Sequence, residues 1–127
     1  MDSNGLTLLL VEDNELSLEA LSRLLVRKGY RVVHARTGSE GIARVASETP
    51  DLVLMDIGLP DMDGLEAVRR IRQDPRFCTL PVIALTAHAL TTDREKALAA
   101  GCADFDTKPV DFLRLCAKIH ALIEGAD

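Results

Sequence analysis

Residues 51–64 read DLVLMDIGLPDMDG, and the fold of the chain can be interpreted outward from this stretch. The apolar run from Asp51 to Asp56 is too short for a stable helix and ends in turn-forming residues, which predicts a strand buried on both of its faces. Asp56 would then lie where the strand leaves the core. Ligands of open α/β sheets bind at the carboxyl ends of the strands, so Asp56 is a candidate site residue. A lone Asp in this place can also be a helix cap or a turn former.

Length and charge limit the classes of function. The chain has 127 residues and a formal net charge of -5, and its 15 Lys and Arg residues are scattered along the sequence. This length predicts a single domain, residues 1–127, that buries roughly two-thirds of its unfolded surface. An acidic chain without a basic cluster disfavours direct nucleic-acid binding. The expected partner is therefore a protein or a small ligand.

The cysteines and the N-terminus indicate the cellular compartment. Cys78, Cys102 and Cys116 are odd in number and lack the spacing of a zinc site or a disulfide framework, so we expect reduced thiols that pack in the fold. The N-terminus has no basic region, and the apolar run at 6–11 is too short for a signal peptide or a membrane span. We therefore expect a cytoplasmic protein that does not contact a membrane.

Apolar runs alternate with amphipathic segments along the rest of the chain. Strands are predicted at residues 6–11, 31–35, 51–56, 81–85 and 104–108, and the helices that follow them are predicted to end near residues 28, 48, 72, 100 and 124. The last strand is acidic and acceptable only at a sheet edge. Because parallel strands need crossover helices, this alternation predicts an α/β fold with a doubly wound, flavodoxin-like parallel sheet of five strands in order 2-1-3-4-5.

Several predicted turns and helix ends carry capping residues. Ser39 is the predicted N-cap of the second helix, and Gly29 and Gly101 are predicted to end the first and fourth helices. Asp61 and Asp63 are predicted to be turn and N-cap residues rather than ligands.

Four of the predicted strands end in a polar group. Asp13 follows the first strand, Asp56 ends the third, Thr86 ends the fourth and Lys108 ends the fifth. Because the carboxyl ends of parallel strands meet at one edge of the sheet, these side chains are expected along one rim. Glu12, Asp13 and Asp56 would crowd negative charge there unless a cation lay between them. Oxygen ligands of this kind suit Mg²⁺, which keeps several waters and bridges to phosphate oxygens.

Some of these residues also have a simpler interpretation. Lys108, which precedes a proline, can be a surface lysine at a turn, Thr86 an ordinary strand-end residue and Phe105 a core aromatic. The three histidines are too scattered for a metal triad, and solvated or edge positions are expected for them.

Four short motifs in this order resemble the receiver domain of two-component response regulators, a CheY-like family. They are VEDN at 11–14, LMDIGLPDMDG at 54–64, ALTA at 84–87 and KP at 108–109. Each motif alone is weak, but four in this order, with strands and helices alternating between them, are specific. The resemblance covers nearly the whole chain, residues 8 to 122.

The resemblance implies a phosphorylation site with a bound metal. Asp56 would accept a phosphoryl group from a phosphohistidine donor. Asp13 and Asp56 would ligate Mg²⁺ directly together with the Gly58 carbonyl, and Glu12 would act through a water. Such roles are chemically reasonable, because phosphoryl transfer needs an in-line nucleophile and positive charge near the transferred oxygens rather than elaborate covalent chemistry.

The resemblance also implies how the phosphoryl group is held and sensed. Thr86 and Lys108 would bind its oxygens, with a cis peptide bond between Lys108 and Pro109. Phe105 falls at the switch position, where family members carry an aromatic residue. His88 lies at a position that tunes the lifetime of the phosphoryl group.

The resemblance further implies protein partners. The phosphodonor would be a histidine kinase or a phosphotransfer protein. The output would be a downstream protein, or a dimer, contacted through the face formed by residues 92–100, Phe105 and the last helix. We expect a phosphorylated switch, with self-phosphorylation and self-dephosphorylation at most, rather than an enzyme. No output domain is expected after the last helix, although a receiver segment excised from a hybrid histidine kinase would have the same sequence pattern.

Other classes fit less well. A haloacid-dehalogenase-type phosphohydrolase also uses an Asp after a buried strand, but it needs a second Asp two residues later, where this chain has Gly58. A dinucleotide-binding domain needs a glycine-rich turn after the first strand, where residues 12–14 are Glu-Asp-Asn. A scaffold without phosphorylation would have no reason to keep acidic, hydroxyl and lysine groups on one rim.

Overall fold

Five strands and five α-helices alternate in the computed structural model, which describes residues 5–87 and 91–123. The strands are β1 Thr7–Val11, β2 Arg31–Ala35, β3 Leu52–Asp56, β4 Val82–Thr86 and β5 Asp104–Thr107. The helices are α1 Glu15–Arg27, α2 Gly38–Glu48, α3 Gly64–Arg72, α4 Thr91–Ala100 and α5 Phe112–Ile123. These bounds agree closely with the predicted ones, but a 3-10 turn at Pro75–Phe77 was not predicted. No helix in the described ranges has the length and apolarity needed to cross a membrane.

All strands are parallel and lie in the order β2-β1-β3-β4-β5, which confirms the predicted doubly wound sheet. The register places Val11 beside Met55 and Thr86 beside Thr107. The carboxyl ends of β1, β3, β4 and β5 therefore finish along one edge of the sheet. β5 is an edge strand, as its composition predicted.

The core lies on both faces of the sheet because the three central strands are apolar almost throughout. β1, β3 and β4 are buried at every position. Alternate residues of a strand point to opposite faces: Leu9 joins the cluster beneath α2, α3 and α4, and Leu10 joins the cluster beneath α1 and α5. A strand covered by helices on both faces has no polar side, which explains why these apolar runs do not alternate with polar residues.

The acidic sequence of β5 is compatible with a strand because α5 supplies the opposite charge. Asp106 is only 3% exposed and lies 2.7 Å from the Arg114 guanidinium. Lys118 Nζ donates a 2.6 Å hydrogen bond to the Phe105 carbonyl oxygen. These contacts fasten the edge strand to α5 around Phe105.

The structure corrects one predicted helix cap. Thr37, not Ser39, is the N-cap of α2, since its backbone is extended and its hydroxyl accepts a hydrogen bond from the Glu40 amide at 3.0 Å. Ser39 lies inside the first turn of the helix. Gly29 and Gly101 have φ angles of 101° and 111°, which suits residues that end helices.

The three cysteines are free thiols with different surroundings. Cys102 is buried and Cys116 is half-buried, but Cys78 is exposed, so the prediction that all three pack in the fold is wrong for Cys78. Burial raises the pKa of the Cys102 thiol to about 11, which keeps it protonated at neutral pH.

Candidate functional site

Five predicted site residues lie at the carboxyl edge of the sheet. Glu12 and Asp13 follow β1, Asp56 ends β3, Thr86 ends β4 and Lys108 follows β5. One carboxylate oxygen from each of Glu12, Asp13 and Asp56 lies within 4.8 Å of the others. Glu12 and Asp56 are each 4% exposed, whereas Asp13 is exposed. The three carboxylates therefore form an acidic cluster that opens to solvent at Asp13.

The ammonium group of Lys108 lies between the two buried carboxylates. Its Nζ is 2.9 Å from Glu12 Oε1 and 3.1 Å from Asp56 Oδ1. Partial burial tends to lower the pKa of Lys108, but the hydrogen bonds to Glu12 and Asp56 outweigh this effect and the pKa is raised. Lys108 is therefore a fixed positive charge. When the three carboxylates of the acidic cluster are ionised, this ammonium leaves two negative charges that a divalent cation would neutralise.

The backbone around Lys108 continues the sheet. The Lys108 amide donates to the Thr86 carbonyl oxygen at 2.8 Å, just beyond the last pair of β4 and β5. The Lys108-Pro109 peptide bond is cis, which confirms what the resemblance implied.

The carboxylates of Glu12 and Asp13 have different surroundings. Glu12 Oε1 accepts a hydrogen bond from Lys108, and Glu12 Oε2 accepts one from the Asn14 amide at 3.0 Å. The Asp13 side chain is exposed. Asp13 is thus the better placed of the two to ligate a cation directly.

The loop after Asp56 folds tightly against the end of β3. Asp56 Oδ1 accepts a hydrogen bond from the Gly58 amide at 3.1 Å, and the Gly64 amide donates to the Ile57 carbonyl oxygen at 2.9 Å. A Cβ on Gly64 would overlap the Asp56 carbonyl oxygen and lie 2.8 Å from Ile57 Cα. The close approach of α3 to β3 therefore requires glycine at 64, a role that no sequence pattern indicated.

Asp63 caps α3 as predicted, but Asp61 does more than form a turn. Asp63 Oδ1 accepts a hydrogen bond from the Leu65 amide at 2.8 Å. Asp61 accepts hydrogen bonds from the Ser39 amide at 2.9 Å, the Gly38 amide at 2.7 Å and the Ser39 hydroxyl at 2.8 Å. The Ser39 and Gly38 amides lower the pKa of Asp61 to about 2. The loop is thereby tied to the start of α2.

Thr86 and Phe105 lie on neighbouring strands. Thr86 is buried at the end of β4, and the half-buried Phe105 packs against the cluster beneath α2, α3 and α4. The Phe105 ring is thus a partly exposed member of the core. His34 and His120 are exposed, as predicted. The role predicted for His88 concerns a residue outside the described ranges.

A groove with a volume of about 270 Å³ opens beside the acidic cluster, between α1 and the connection from β5 to α5. Glu12 and Lys108 contribute to its lining, and Leu24, Val110 and Phe112 supply apolar walls. The groove could not be predicted, because it depends on how α1 and α5 pack side by side.

Comparison with known proteins identifies the family. The family model for the response regulator receiver domain matches residues 8–120. The chain belongs to the response regulator receiver family. Relatives of this receiver include the polar-differentiation response regulators DivK of Brucella ovis and Brucella anthropi. Each is 34% identical over 120 residues, which cover 94% of this chain and 98% of the relative.

Solved structures of response regulators share the fold of this receiver. A putative response regulator from Chloroflexus aurantiacus is 32% identical, with a TM-score of 0.87 over 91% of this chain and 95% of that chain. A two-component response regulator from Clostridium difficile is 26% identical, with a TM-score of 0.85 over 92% of this chain and 94% of that chain. The resemblance drawn from four sequence motifs is therefore confirmed for both family and fold.

Gly64→Ala is expected to destabilise the receiver and disturb the end of β3, because a methyl group at this position cannot fit unless the backbone moves. Overpacking of this kind costs about 1–3 kcal/mol. Gly58→Ala, in the loop that precedes α3, is the control, since a Cβ there would meet nothing within 4 Å. Chemical denaturation measures both variants, and equal stabilities would contradict the close approach.

Proposed function

We propose that this receiver accepts a phosphoryl group on Asp56 from a phosphohistidine donor, uses Mg²⁺ in the transfer and signals through a protein partner. The main support is the pairing of Lys108 with Asp56 at 3.1 Å within a cluster of three carboxylates. A carboxylate, a fixed ammonium and a hydroxyl at neighbouring strand ends are groups that phosphoryl transfer can use. We further propose that the chain acts as one domain in the cytoplasm.

Asp56 is the proposed nucleophile. One of its carboxylate oxygens attacks phosphorus as the bond to the donor imidazole nitrogen breaks, and the product is an acyl phosphate. Lys108 offsets the charge of the phosphoryl oxygens, which helps a dianionic group enter a site that already holds two buried carboxylates. The Thr86 hydroxyl at the end of β4 donates to one of these oxygens.

The residues around Asp56 fit Mg²⁺. Asp13 and Asp56 would ligate it directly with the Gly58 carbonyl, and Glu12, whose oxygens already accept hydrogen bonds, would act through water. All these donors are oxygen atoms, and the cluster opens to solvent at Asp13, which suits an ion that keeps several waters. When bound, Mg²⁺ would neutralise the charges left by Lys108 and polarise the phosphoryl oxygens.

Phosphorylation is proposed to move Thr86 and Phe105. The new group adds about -1.5 to -2 charges, and a hydrogen bond from Thr86 to it is worth ~1.5–3 kcal/mol. Shifting the receiver from 1:99 to 99:1 in favour of the active conformation takes ~5.5 kcal/mol, which is more than Thr86 supplies. Lys108 and backbone amides must therefore also bind the phosphoryl group more strongly in the active conformation than in the inactive one. The alternative is that the unphosphorylated receiver already populates the active conformation appreciably. The half-buried Phe105 ring would fill the space that Thr86 vacates.

The proposed output surface is the face formed by α4, β5 and α5. Lys118 binds the Phe105 carbonyl oxygen and Arg114 binds Asp106, so a shift of β5 at Phe105 would be transmitted to α5. A downstream protein or a second copy of the receiver would bind this face. The groove that ends at Lys108 would admit the donor, a histidine kinase or a phosphotransfer protein. No nucleic acid or membrane takes part.

A haloacid-dehalogenase-type phosphohydrolase is the alternative function. Such an enzyme needs a second carboxylate two residues after the nucleophile, where this chain has Gly58. The other acidic residues of the loop have structural contacts, because Asp61 binds the start of α2 and Asp63 caps α3. These observations favour the receiver.

Asp56→Asn is expected to abolish phosphorylation while leaving the fold intact, because an amide cannot replace the carboxylate as nucleophile. The protein is incubated with Mg²⁺ and a small acyl phosphate, and its intact mass is measured. The wild type should gain a single hydroxylamine-labile phosphoryl group and Asp56→Asn none, while Asp61→Asn, the control from the same loop, should label nearly normally at saturating Mg²⁺. Labelling retained in Asp56→Asn would overturn the assignment, and steady release of phosphate from phosphate esters would favour the phosphohydrolase.

Thr86→Ala is expected to accept phosphate at Asp56 but to respond poorly, because the hydroxyl that couples the phosphoryl group to Phe105 is missing. Amide chemical shifts measured by NMR before and after phosphorylation should change from Asp56 to the Phe105 face in the wild type. In the variant they should change mainly in the loops around Asp56. Wild-type shifts confined to those loops would show that this coupling is wrong.

A further inference from the structure

Asp61 joins the loop that follows Asp56 to the start of α2. Its Oδ1 accepts a hydrogen bond from the Gly38 amide at 2.7 Å. Its Oδ2 accepts bonds from the Ser39 amide at 2.9 Å and the Ser39 hydroxyl at 2.8 Å. The loop also packs closely against the same place, since a Cβ on Gly38 would lie 2.5 Å from Met62 Cγ. Both oxygens of Asp61 are therefore bound to residues that lie 22 and 23 positions earlier in the chain.

Helix α2 already has a cap made from its own neighbourhood. The Thr37 hydroxyl accepts a hydrogen bond from the Glu40 amide at 3.0 Å, and the Glu40 carboxylate accepts one from the Arg36 amide at 2.8 Å. This arrangement is a variant of the capping box, which satisfies helix-start amides locally. These local bonds serve the Glu40 and Arg36 amides, whereas the Gly38 and Ser39 amides at the start of the helix are bound by Asp61. The bonds from Asp61 therefore hold the loop and the start of α2 together.

The loop is also held by hydrogen bonds at its two ends, and Leu59 and Met62 pack against the core cluster beneath α2, α3 and α4. At the start, the Gly58 amide donates to Asp56 Oδ1. At the end, Asp63 caps α3 and the Gly64 amide binds the Ile57 carbonyl oxygen. On the side that faces α2, Asp61 supplies the hydrogen bonds and Met62 packs against Gly38.

We infer that Asp61 is a positioning residue for the phosphorylation site, because its bonds to α2 fix the loop so that the Gly58 amide and carbonyl keep their place beside Asp56. Asp61 is not one of the three clustered carboxylates and would act through Gly58. The inference rests on the proposed function, in which the Gly58 carbonyl is a Mg²⁺ ligand.

Asp61→Ala is expected to weaken Mg²⁺ binding by less than the roughly 10-fold that marks the low end of the effect when a partner bonded directly to a metal ligand is lost, because Asp61 lies three positions from Gly58. It should also slow labelling of Asp56 at low Mg²⁺, with recovery toward the wild-type rate at saturating Mg²⁺, because Asp56 and Lys108 are unchanged. Asp61→Asn keeps one acceptor oxygen but turns an NH₂ group toward the other backbone amide, so it should recover part of the affinity. Ser39→Ala removes only the hydroxyl bond and should have a smaller effect.

Asp74→Ala is the matched control. Asp74 also accepts a hydrogen bond from a backbone amide at the start of a helical turn, that of Arg76 at 3.0 Å, but it lies beyond α3 and outside the loop. Mg²⁺ affinity is measured by titration calorimetry. The Gly58 amide resonance of the metal-free protein gives a readout that does not depend on phosphorylation. We expect the Mg²⁺ affinity and the Gly58 amide resonance to change in Asp61→Ala and to stay the same in Asp74→Ala.

Unchanged Mg²⁺ affinity and an unchanged Gly58 resonance in folded Asp61→Ala would overturn the inference and leave Asp61 as a helix cap. An equal loss of affinity in Asp74→Ala would overturn it too, because the effect would then follow from stability alone. If Asp61→Ala does not fold, Asp61→Asn and Ser39→Ala are tested by the same two readouts: the inference requires a small but measurable change in both, and no change in either variant overturns it. A wild type that neither binds Mg²⁺ nor labels would refute the proposed function, whereas the Gly58 resonance of the metal-free variants would still test the positioning.

Discussion

The ammonium group of Lys108, held between Glu12 and Asp56, is the contact on which the rest of the site depends. Two carboxylates that are each 4% exposed are costly to keep ionised side by side, because buried charges need a partner. Lys108 supplies a positive charge from within the chain, at 2.9 Å from one carboxylate and 3.1 Å from the other. Glu12 and Lys108 are 96 residues apart in sequence, so this balance of charge exists only in the folded sheet.

The parallel sheet brings these groups together. Every strand runs in the same direction, so the crossover helices return the chain to one edge and leave the polar strand ends at the other. In β3 and β4, apolar core residues are therefore followed by a polar residue at the carboxyl end. Met55 and Leu85 are core residues, and the next residues along the chain, Asp56 and Thr86, belong to the candidate site. The strand interiors form the core, and the carboxyl ends carry the polar groups of the candidate site.

The sequence was sufficient to predict the sheet and the residues of the cluster, because β1 and β3 are nearly unbroken apolar runs. Glu12 and Asp13 follow the first run, and Asp56 ends the second. It could not predict contacts that depend on how separate elements pack. Asp61 looks like a turn residue until α2 is placed beside it, and Gly64 looks like an ordinary helix start until α3 approaches β3. The N-cap of α2 was misassigned because Thr37 and Ser39 both offer a hydroxyl, and only the backbone conformation decides between them.

A Mg²⁺ titration tests most directly whether the carboxylates around Asp56 form a metal-assisted phosphorylation site. It compares the wild type with Asp13→Asn and Glu12→Gln and follows the amide resonances of Asp13, Asp56 and Gly58. We expect saturable binding centred on these amides, a greater loss of affinity in Asp13→Asn than in Glu12→Gln, and acyl-phosphate labelling that stops when EDTA removes the metal. An unchanged labelling rate in EDTA, or an Asp13→Asn variant that binds Mg²⁺ as tightly as the wild type, would contradict this and show that the cluster is structural.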